Sequence, residues 1–412
     1  MTFFFVYTSV SFFVVPVRAW SFYRTVPFTV LIETTYEEPF CHPNYRFDTA
    51  LGSCVENTTK FEPLTYNPEE RVLFMKYLKL MSLLVALLSV SGMAHAGKTL
   101  DMVRSKGYVQ AGVNTGAPGF SMPDNQGRWH GLDVDIARAV AAALFNDPEK
   151  IRFTPLSTQQ RIPALQSGEI DVLSRQTTLT LSRDTAMGIE FVSPVFYDGQ
   201  SFMVRKDMGV KEIKELDGAS ICILPGSTTE MNVADYFRTN GISFKPVQIE
   251  SREELLKAFI SGRCDCLTND ASSLASQRTI TGDPAAYMIF QEFLSKEPLA
   301  PAVRQGDPAW KNIVKWTIFA LIEAEDLGIT SRNVDTMLKS SNPKVKRFLG
   351  VTPGNGKSLG LSEDWACNIV RHVGNYGEVF ERNLGKSTPL NLDRGLNALW
   401  KNGGLMYAPP FH

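Results

Sequence analysis

From residue 108 onward the chain alternates between short apolar runs and longer stretches in which apolar positions recur every third or fourth residue. The runs predict strands over 108–113, 151–156 and 170–173. The longer stretches predict an Ala-rich helix over 136–144, led into by Gly131-Leu132-Asp133-Val134-Asp135, and a helix over 159–167 ended by Gly168. The pattern then repeats. Residues 201–205 read as a strand leaving this first lobe, and 218–224 as the opening strand of another sheet. Helix 229–239, strand 243–247, helix 252–261 ended by Gly262, and strand 265–268 complete it. Strand and helix in alternation build a parallel sheet covered by helices, so the fold class is α/β in two lobes. Residues 302–304 return to the first lobe, so crossings near 204–208 and 296–302 form a double-stranded hinge. A long amphipathic helix follows over 310–327. Beyond 333 the chain reads as helical and loop-like, broken by Pro343, Pro353, Pro409 and Pro410. The division is 97–204 for lobe 1, 205–298 for lobe 2, 299–332 for the return to lobe 1, and 333–412 for a C-terminal extension.

Upstream lies a secretory signal pattern that starts at Met75 instead of Met1. Lys76 and Lys79 are its basic start, residues 80–88 its apolar centre, and Ala94-His95-Ala96 a small-residue cleavage motif, with cleavage expected before Gly97. The apolar centre is well short of the ~18 residues that a membrane span needs. Residues 1–74 open with an aromatic-rich stretch broken by Pro16 and carry Cys41 and Cys54 in a polar segment. They show no helix or strand period and read as a spurious upstream extension of the reading frame, with a real upstream membrane segment as the rival reading.

Charge narrows the partners. Lysine and arginine total 42 against 43 aspartate and glutamate, and the region after the cleavage site is likewise near neutral. Nucleic acid and strongly charged membrane surfaces both require a basic field, so neither is expected. After residue 96 the cysteines are Cys222, Cys264, Cys266 and Cys367, and the histidines are the scattered His130, His372 and His412. In an oxidising compartment this points to one structural disulfide and no metal site. The pair expected is Cys222 with Cys264, each at a strand of the second lobe, with Cys266 as the competing partner.

The candidate chemistry sits where strands end. Residues 175–184 follow a strand, and there Thr178 and Arg183 can clamp a carboxylate, because the planar guanidinium matches two oxygens and ligands in open α/β sheets bind beyond the carboxyl ends of strands. The alternative for Arg183 is a surface pair with Asp184 or Glu190. Ser227, Thr228 and Thr229 stand between a strand and a helix, suited to an anion or to ordinary helix capping. Asp270 ends the next strand, placed to meet an ammonium group or to cap the helix that follows. No Ser-His-Asp set, metal cluster or Gly-x-Ser-x-Gly elbow is visible. Gly354-Asn355-Gly356-Lys357-Ser358 fails as a phosphate loop because Val351 stands where a glycine is needed and Pro353 interrupts it.

Taken in order, these elements resemble the extracytoplasmic solute-binding proteins for polar amino acids. The carriers are Gly131 to Asp135, Arg161 to Asp171, Thr178 to Arg183, Phe191-Val192-Ser193-Pro194, Gly226 to Thr229, and Gly262 to Asp265 leading to Asp270. Within that family the chain is most similar to the general L-amino acid-binding proteins. The residues behind this narrower resemblance are Asn114 to Phe120, Ser174 to Thr178, and the tail motifs Val373 to Asn383 and Arg394 to Trp400.

The resemblance implies a two-lobed periplasmic binding fold of the type II kind, with two hinge crossings. Its ligand would be a polar L-amino acid: glutamate, glutamine, aspartate or asparagine. Arg183 and Thr178 would take the α-carboxylate, Asp270 the α-ammonium, and Ser227, Thr228 and Thr229 would contribute from the facing lobe. Asn114 and Gln176 lie in two of the carrier motifs and count with the cleft residues. One departure is that the loop 114–119 has no aromatic residue before Phe120 to stack on the ligand. Arg161 and Arg175 are then free to receive a side-chain carboxylate or, through water, an amide, although Arg161 reads equally as a solvated helix residue. The implied protein is a periplasmic monomer without cofactor or catalysis. It would deliver its ligand to the membrane permease of an ABC importer driven by separate ATPase subunits. The rival classes are a periplasmic dehydratase or lyase on the same fold, and a ligand-sensing module.

Overall fold

The computed structural model describes residues 45–48, 53–56, 67 and 98–412. The chain forms two compact units, 1–82 and 83–412. In the first, β1 (Tyr45–Asp48) pairs antiparallel with β2 (Ser53–Glu56), Tyr45 lying opposite Glu56. Such short strands in a polar surrounding leave no period to read, and the sequence pattern missed them. Cys41 and the signal pattern over 75–96 lie outside the described residues.

The second unit opens with helix Lys98–Lys106 and β3 (Val109–Val113). A small hairpin, β4 (Met122–Pro123) and β5 (Trp129–His130), leads to helix Leu132–Phe145. That helix begins earlier than the alanine run suggests, so Asp133 and Asp135 sit in its first turn. Gly131 makes the early start: its φ is 131°, and a Cβ there would lie 2.1 Å from the Phe120 carbonyl oxygen. Then come β6 (Ile151–Pro155), helix Arg161–Ser167, β7 (Val172–Leu173), helix Leu181–Ala186 and β8 (Ile189–Phe191). The first-lobe sheet runs β6-β3-β7-β16-β8, where β16 (Ala302–Arg304) is the returning strand.

The second lobe contains β10 (Gln200–Arg205), β11 (Ser220–Ile223), β12 (Lys245–Gln248), β13 (Cys266–Asp270) and β14 (Tyr287–Ile289), in sheet order β12-β11-β13-β10-β14. Helices Thr228–Thr239, Arg252–Ile260 and Ala271–Arg278 connect them. Between the lobes, β9 (Phe196–Asp198) and β15 (Glu297–Leu299) pair antiparallel as the hinge.

Two expectations are corrected by this pairing. The first crossing is at β9, ahead of residues 204–208, and the strand read as leaving lobe 1 is a member of the lobe 2 sheet through Gln200 opposite Asp270. Neither sheet is purely parallel. β10 runs antiparallel to β13 and β14, and β16 antiparallel to β7 and β8. A strand that arrives from the hinge enters its sheet from the end opposite to the βαβ strands, so it lies against their direction.

Cys222 and Cys264 are joined in a disulfide with Cα atoms 5.6 Å apart, while Cys266 is a buried free thiol. Helix Pro308–Asp326 and the extension that follows share one apolar core with lobe 1, in which Trp365, Tyr376, Phe380 and Phe348 pack with Phe120, Ile136 and Ile318. The extension also grips the hinge. The Tyr376 hydroxyl donates to the Val195 carbonyl (2.7 Å). Asn397 accepts from the Tyr197 amide (2.6 Å) and donates to the Tyr197 carbonyl (3.1 Å). Among the described residues no helix is long and apolar enough to cross a membrane.

Candidate functional site

The lobes meet in a cleft at the carboxyl ends of β3, β7, β11 and β13. Direct hydrogen bonds cross it. Gln176 Nε2 donates to Ser273 Oγ (3.0 Å), Ser276 Oγ to the Pro118 carbonyl (2.8 Å), and Ser157 Oγ to Glu250 (2.5 Å). Behind these contacts is a small inner chamber of about 20 Å³, lined by Arg161, Arg175, Gln176, Thr178, Ser227, Thr228, Thr229, Arg252, Asn269 and Asp270 among others. The structure thus brings eight of the ten expected ligand residues to one chamber; Asn114 and Arg183 stand beside it.

Arg183 is 6% exposed. Its Nη1 donates to the Thr178 carbonyl (3.0 Å), and its Nη2 reaches across to the Gly226 carbonyl (3.5 Å). It therefore does not pair with Asp184, which accepts from the Phe191 amide, or with Glu190, which faces Lys311. The loop that precedes it is fixed by side chains reaching back to lobe 1. Arg175 Nε holds the Leu156 carbonyl (2.8 Å) and its Nη2 the Thr158 hydroxyl (3.3 Å); the Gln176 amide donates to Asp133 (3.2 Å). Gln176 has φ 30°, a left-handed backbone uncommon for a side chain other than glycine. Its amide oxygen accepts from Asn114 Nδ2 (3.3 Å) and places Asn114, fully buried, in the same network. Phe120 is in the lobe 1 core, so no aromatic side chain from that loop covers the chamber.

The Ser227 hydroxyl is engaged three ways, the first a hydrogen bond donated to the Leu224 carbonyl (2.6 Å). It also accepts from the Glu230 amide as a helix cap (3.3 Å) and bonds the Thr229 hydroxyl (2.6 Å). Asp270 precedes a helix without capping it; its Oδ1 is buried and has no partner among the described residues. Arg161 is not solvated, being 4% exposed, and its Nη1 donates to Thr177 (3.3 Å) while its Nε has no partner among the described residues.

Burial sets the electrostatics. It pulls the Arg161 guanidinium well below its ordinary value, with Arg175 and Arg183 adding repulsion, and holds Arg175 at about 9. On the acidic side, burial pushes Asp133 up to about 7 against the pull of the Gln176 amide and Arg175. Asp270 is raised well above the usual carboxylate range by burial first, and then by the charges of Asp198 and Glu297. Burial thus disfavours the ionised form of each of these groups, a cost that an opposite charge would relieve. An α-amino acid carries both of the charges needed.

Two cleft residues escaped the sequence reading. Arg252 opens the helix after β12 and lines the inner chamber, with Nε and Nη1 unpartnered among the described residues. Its place at the end of a strand-to-helix turn is the signal that could have found it. Glu297 lies on hinge strand β15 and is 1% exposed. Its Oε2 accepts from the hydroxyls of Thr178 (2.6 Å) and Thr228 (2.9 Å), one from each lobe, and its Oε1 from Asn232 (2.8 Å) and Ser295 (2.5 Å). The Thr178 hydroxyl is therefore engaged at the hinge, where the sequence reading expected it to be free for a ligand. Nothing in Lys296-Glu297-Pro298 distinguishes this carboxylate from a surface turn.

Residues 109–332 match the family model described as bacterial extracellular solute-binding proteins, family 3. The general L-amino acid-binding periplasmic protein AapJ of Rhizobium johnstonii is 54% identical over 327 residues, covering 79% of this chain and 96% of that protein. The glutamate/glutamine/aspartate/asparagine-binding protein BztA of Rhodobacter capsulatus is 48% identical over 328 residues, covering 79% of this chain and 97% of that protein. Among solved structures, an ABC transporter periplasmic binding protein from Brucella ovis with glutathione bound aligns with a TM-score of 0.75 at 50% identity, covering 76% of this chain and 99% of that one.

Proposed function

Because this chain belongs to the bacterial extracellular solute-binding proteins, family 3, we propose that it captures polar L-amino acids in the periplasm and delivers them to the permease of an ABC importer. Glutamate, glutamine, aspartate and asparagine are its ligands. The observation that carries this reading is an inner chamber lined by Asp270, whose buried Oδ1 has no partner among the described residues, with the buried Arg183 beside it on the carbonyl of the lining residue Thr178. That pair suits the two charges of an α-amino acid. Arg161, Arg175 and Arg252 supply further positive charge for an acidic or amide side chain. The protein acts by binding and lobe closure, as a monomer and without catalysis; Ser227, Thr228 and Thr229 serve as hydrogen-bonding groups. The test is a calorimetric titration of protein freed of ligand. All four amino acids are expected to compete for one site, and a protein that takes only large apolar or basic amino acids would sink the reading.

Export uses the signal pattern at 75–96, on the strength of its basic, apolar and small-residue segments. N-terminal sequencing of the exported protein is expected to begin at Gly97. A mature product that keeps residues 1–74 would contradict this.

A second reading, a small peptide ligand, is favoured by the larger outer chamber of the cleft, about 950 Å³. The glutathione in the Brucella ovis relative is in keeping with it.

A further inference from the structure

We infer that the outer chamber reads the far end of ligands extended through their side chain, so that γ-glutamyl and β-aspartyl isopeptides are bound alongside the free amino acids. This rests on the amino-acid reading of the inner chamber. The outer chamber lies against the inner one, and Thr158, Arg175, Leu224 and Arg252 line both. Two of its residues carry buried polar groups with no hydrogen-bond partner among the described residues. Gln277 is 1% exposed, and neither its amide nitrogen nor its amide oxygen has a partner among the described residues. Arg252 is 9% exposed, with Nε and Nη1 likewise unpartnered.

Buried donors and acceptors are costly when left unpaired. The guanidinium edge presents donors only and matches a carboxylate; the glutamine amide presents donor and acceptor together and matches another amide. A ligand that satisfies both therefore carries an amide and a second carboxylate beyond its amino-acid head. The inner chamber decides how that extension is attached. Arg183 needs a free α-carboxylate and Asp270 a free α-ammonium. An ordinary peptide bond consumes one of these at every residue, whereas an amide formed on the side-chain carboxyl leaves both intact. The outer chamber also carries Glu250, Glu253 and Glu254, of which Glu253 is paired with Lys257 (2.6 Å), so the second carboxylate is taken at the Arg252 side of the chamber and not at its acidic rim.

Titration of protein freed of ligand with L-glutamate, γ-L-glutamylglycine and α-L-glutamylglycine tests the inference, in the wild type and in Gln277→Leu. The γ-isomer is expected to bind and to displace glutamate. The α-isomer, built of the same atoms, is expected to bind at least a hundredfold more weakly. Gln277→Leu removes an unsatisfied buried amide and should melt no lower than the wild type. It should weaken the γ-isomer at least tenfold and leave glutamate within threefold; Gln277→Met replaces it if the leucine variant does not fold. Glutamate binding without γ-isomer binding, equal binding of the two isomers, or an unchanged affinity ratio in the variant overturns the inference and leaves the amino-acid reading standing. Failure of glutamate and the γ-isomer alike overturns the amino-acid reading itself.

Discussion

Arg183→Ala is expected to lower affinity for the preferred amino acid by about two to four decades while the protein stays folded. A ligand carboxylate shut between two lobes loses its water, and removing one partner of a buried charge pair costs roughly 3–5 kcal/mol. Arg183→Lys should lose much of the same affinity, because a point charge does not reproduce two parallel donors. Stability should suffer little. The guanidinium's hydrogen bonds go to two loop carbonyls, of Thr178 and Gly226. Titration and a melting curve on the same sample separate the two effects. A folded variant within about threefold of wild type, roughly 0.65 kcal/mol, would move the clamp elsewhere.

Asp270→Asn is expected to have two effects of opposite sign. Loss of the carboxylate that meets the ammonium should weaken binding by about two decades or more. In protein freed of ligand, however, the same change removes a buried carboxylate that has an unpartnered oxygen and lies close enough to Asp198 and Glu297 to be raised by their charge. The variant should therefore melt higher. The pH dependence has a fixed direction. A carboxyl whose value is raised on folding contributes stability that is complete below its ordinary value of 3.8 and is lost as pH rises through the raised value. Protein freed of ligand should thus lose stability with rising pH, and Asp270→Asn should lose less. Parallel pH profiles of wild type and variant, or a variant that melts lower at neutral pH, would show that the attraction of Arg252 and Arg161 for Asp270 outweighs the cost of its burial.

The parts of the fold that were legible in the sequence are those in which a period has room to repeat. Helix Thr228–Thr239 and strand Ala302–Arg304 were located within a residue, and the strand-to-helix turns carrying Thr178, Arg183, Ser227 to Thr229 and Asp270 were found because α/β topology aims such turns at a cleft. The hinge was read in the wrong place at its first crossing because β9 and β15 have three residues each, too few for alternation to emerge. The antiparallel entry of β10 and β16 depends on which end of a sheet the chain reaches, and no local pattern carries that. Glu297 was missed for a related reason: its four hydrogen-bond donors come from Thr178, Thr228, Asn232 and Ser295, mostly far away in sequence. Asn397 and Tyr376, which tie the extension to the hinge strand, sit in tail motifs that were recognisable as a resemblance and silent about their contacts.

A crystal structure of the protein with L-glutamate shows directly whether Arg183 and Asp270 hold the ligand. The α-carboxylate is expected on the Arg183 guanidinium, the α-ammonium on Asp270, and the side-chain carboxylate among Arg161, Arg175 and Arg252. A glutamate bound outside the cleft, or held in it with Arg183 and Asp270 making no contact, would contradict this placement.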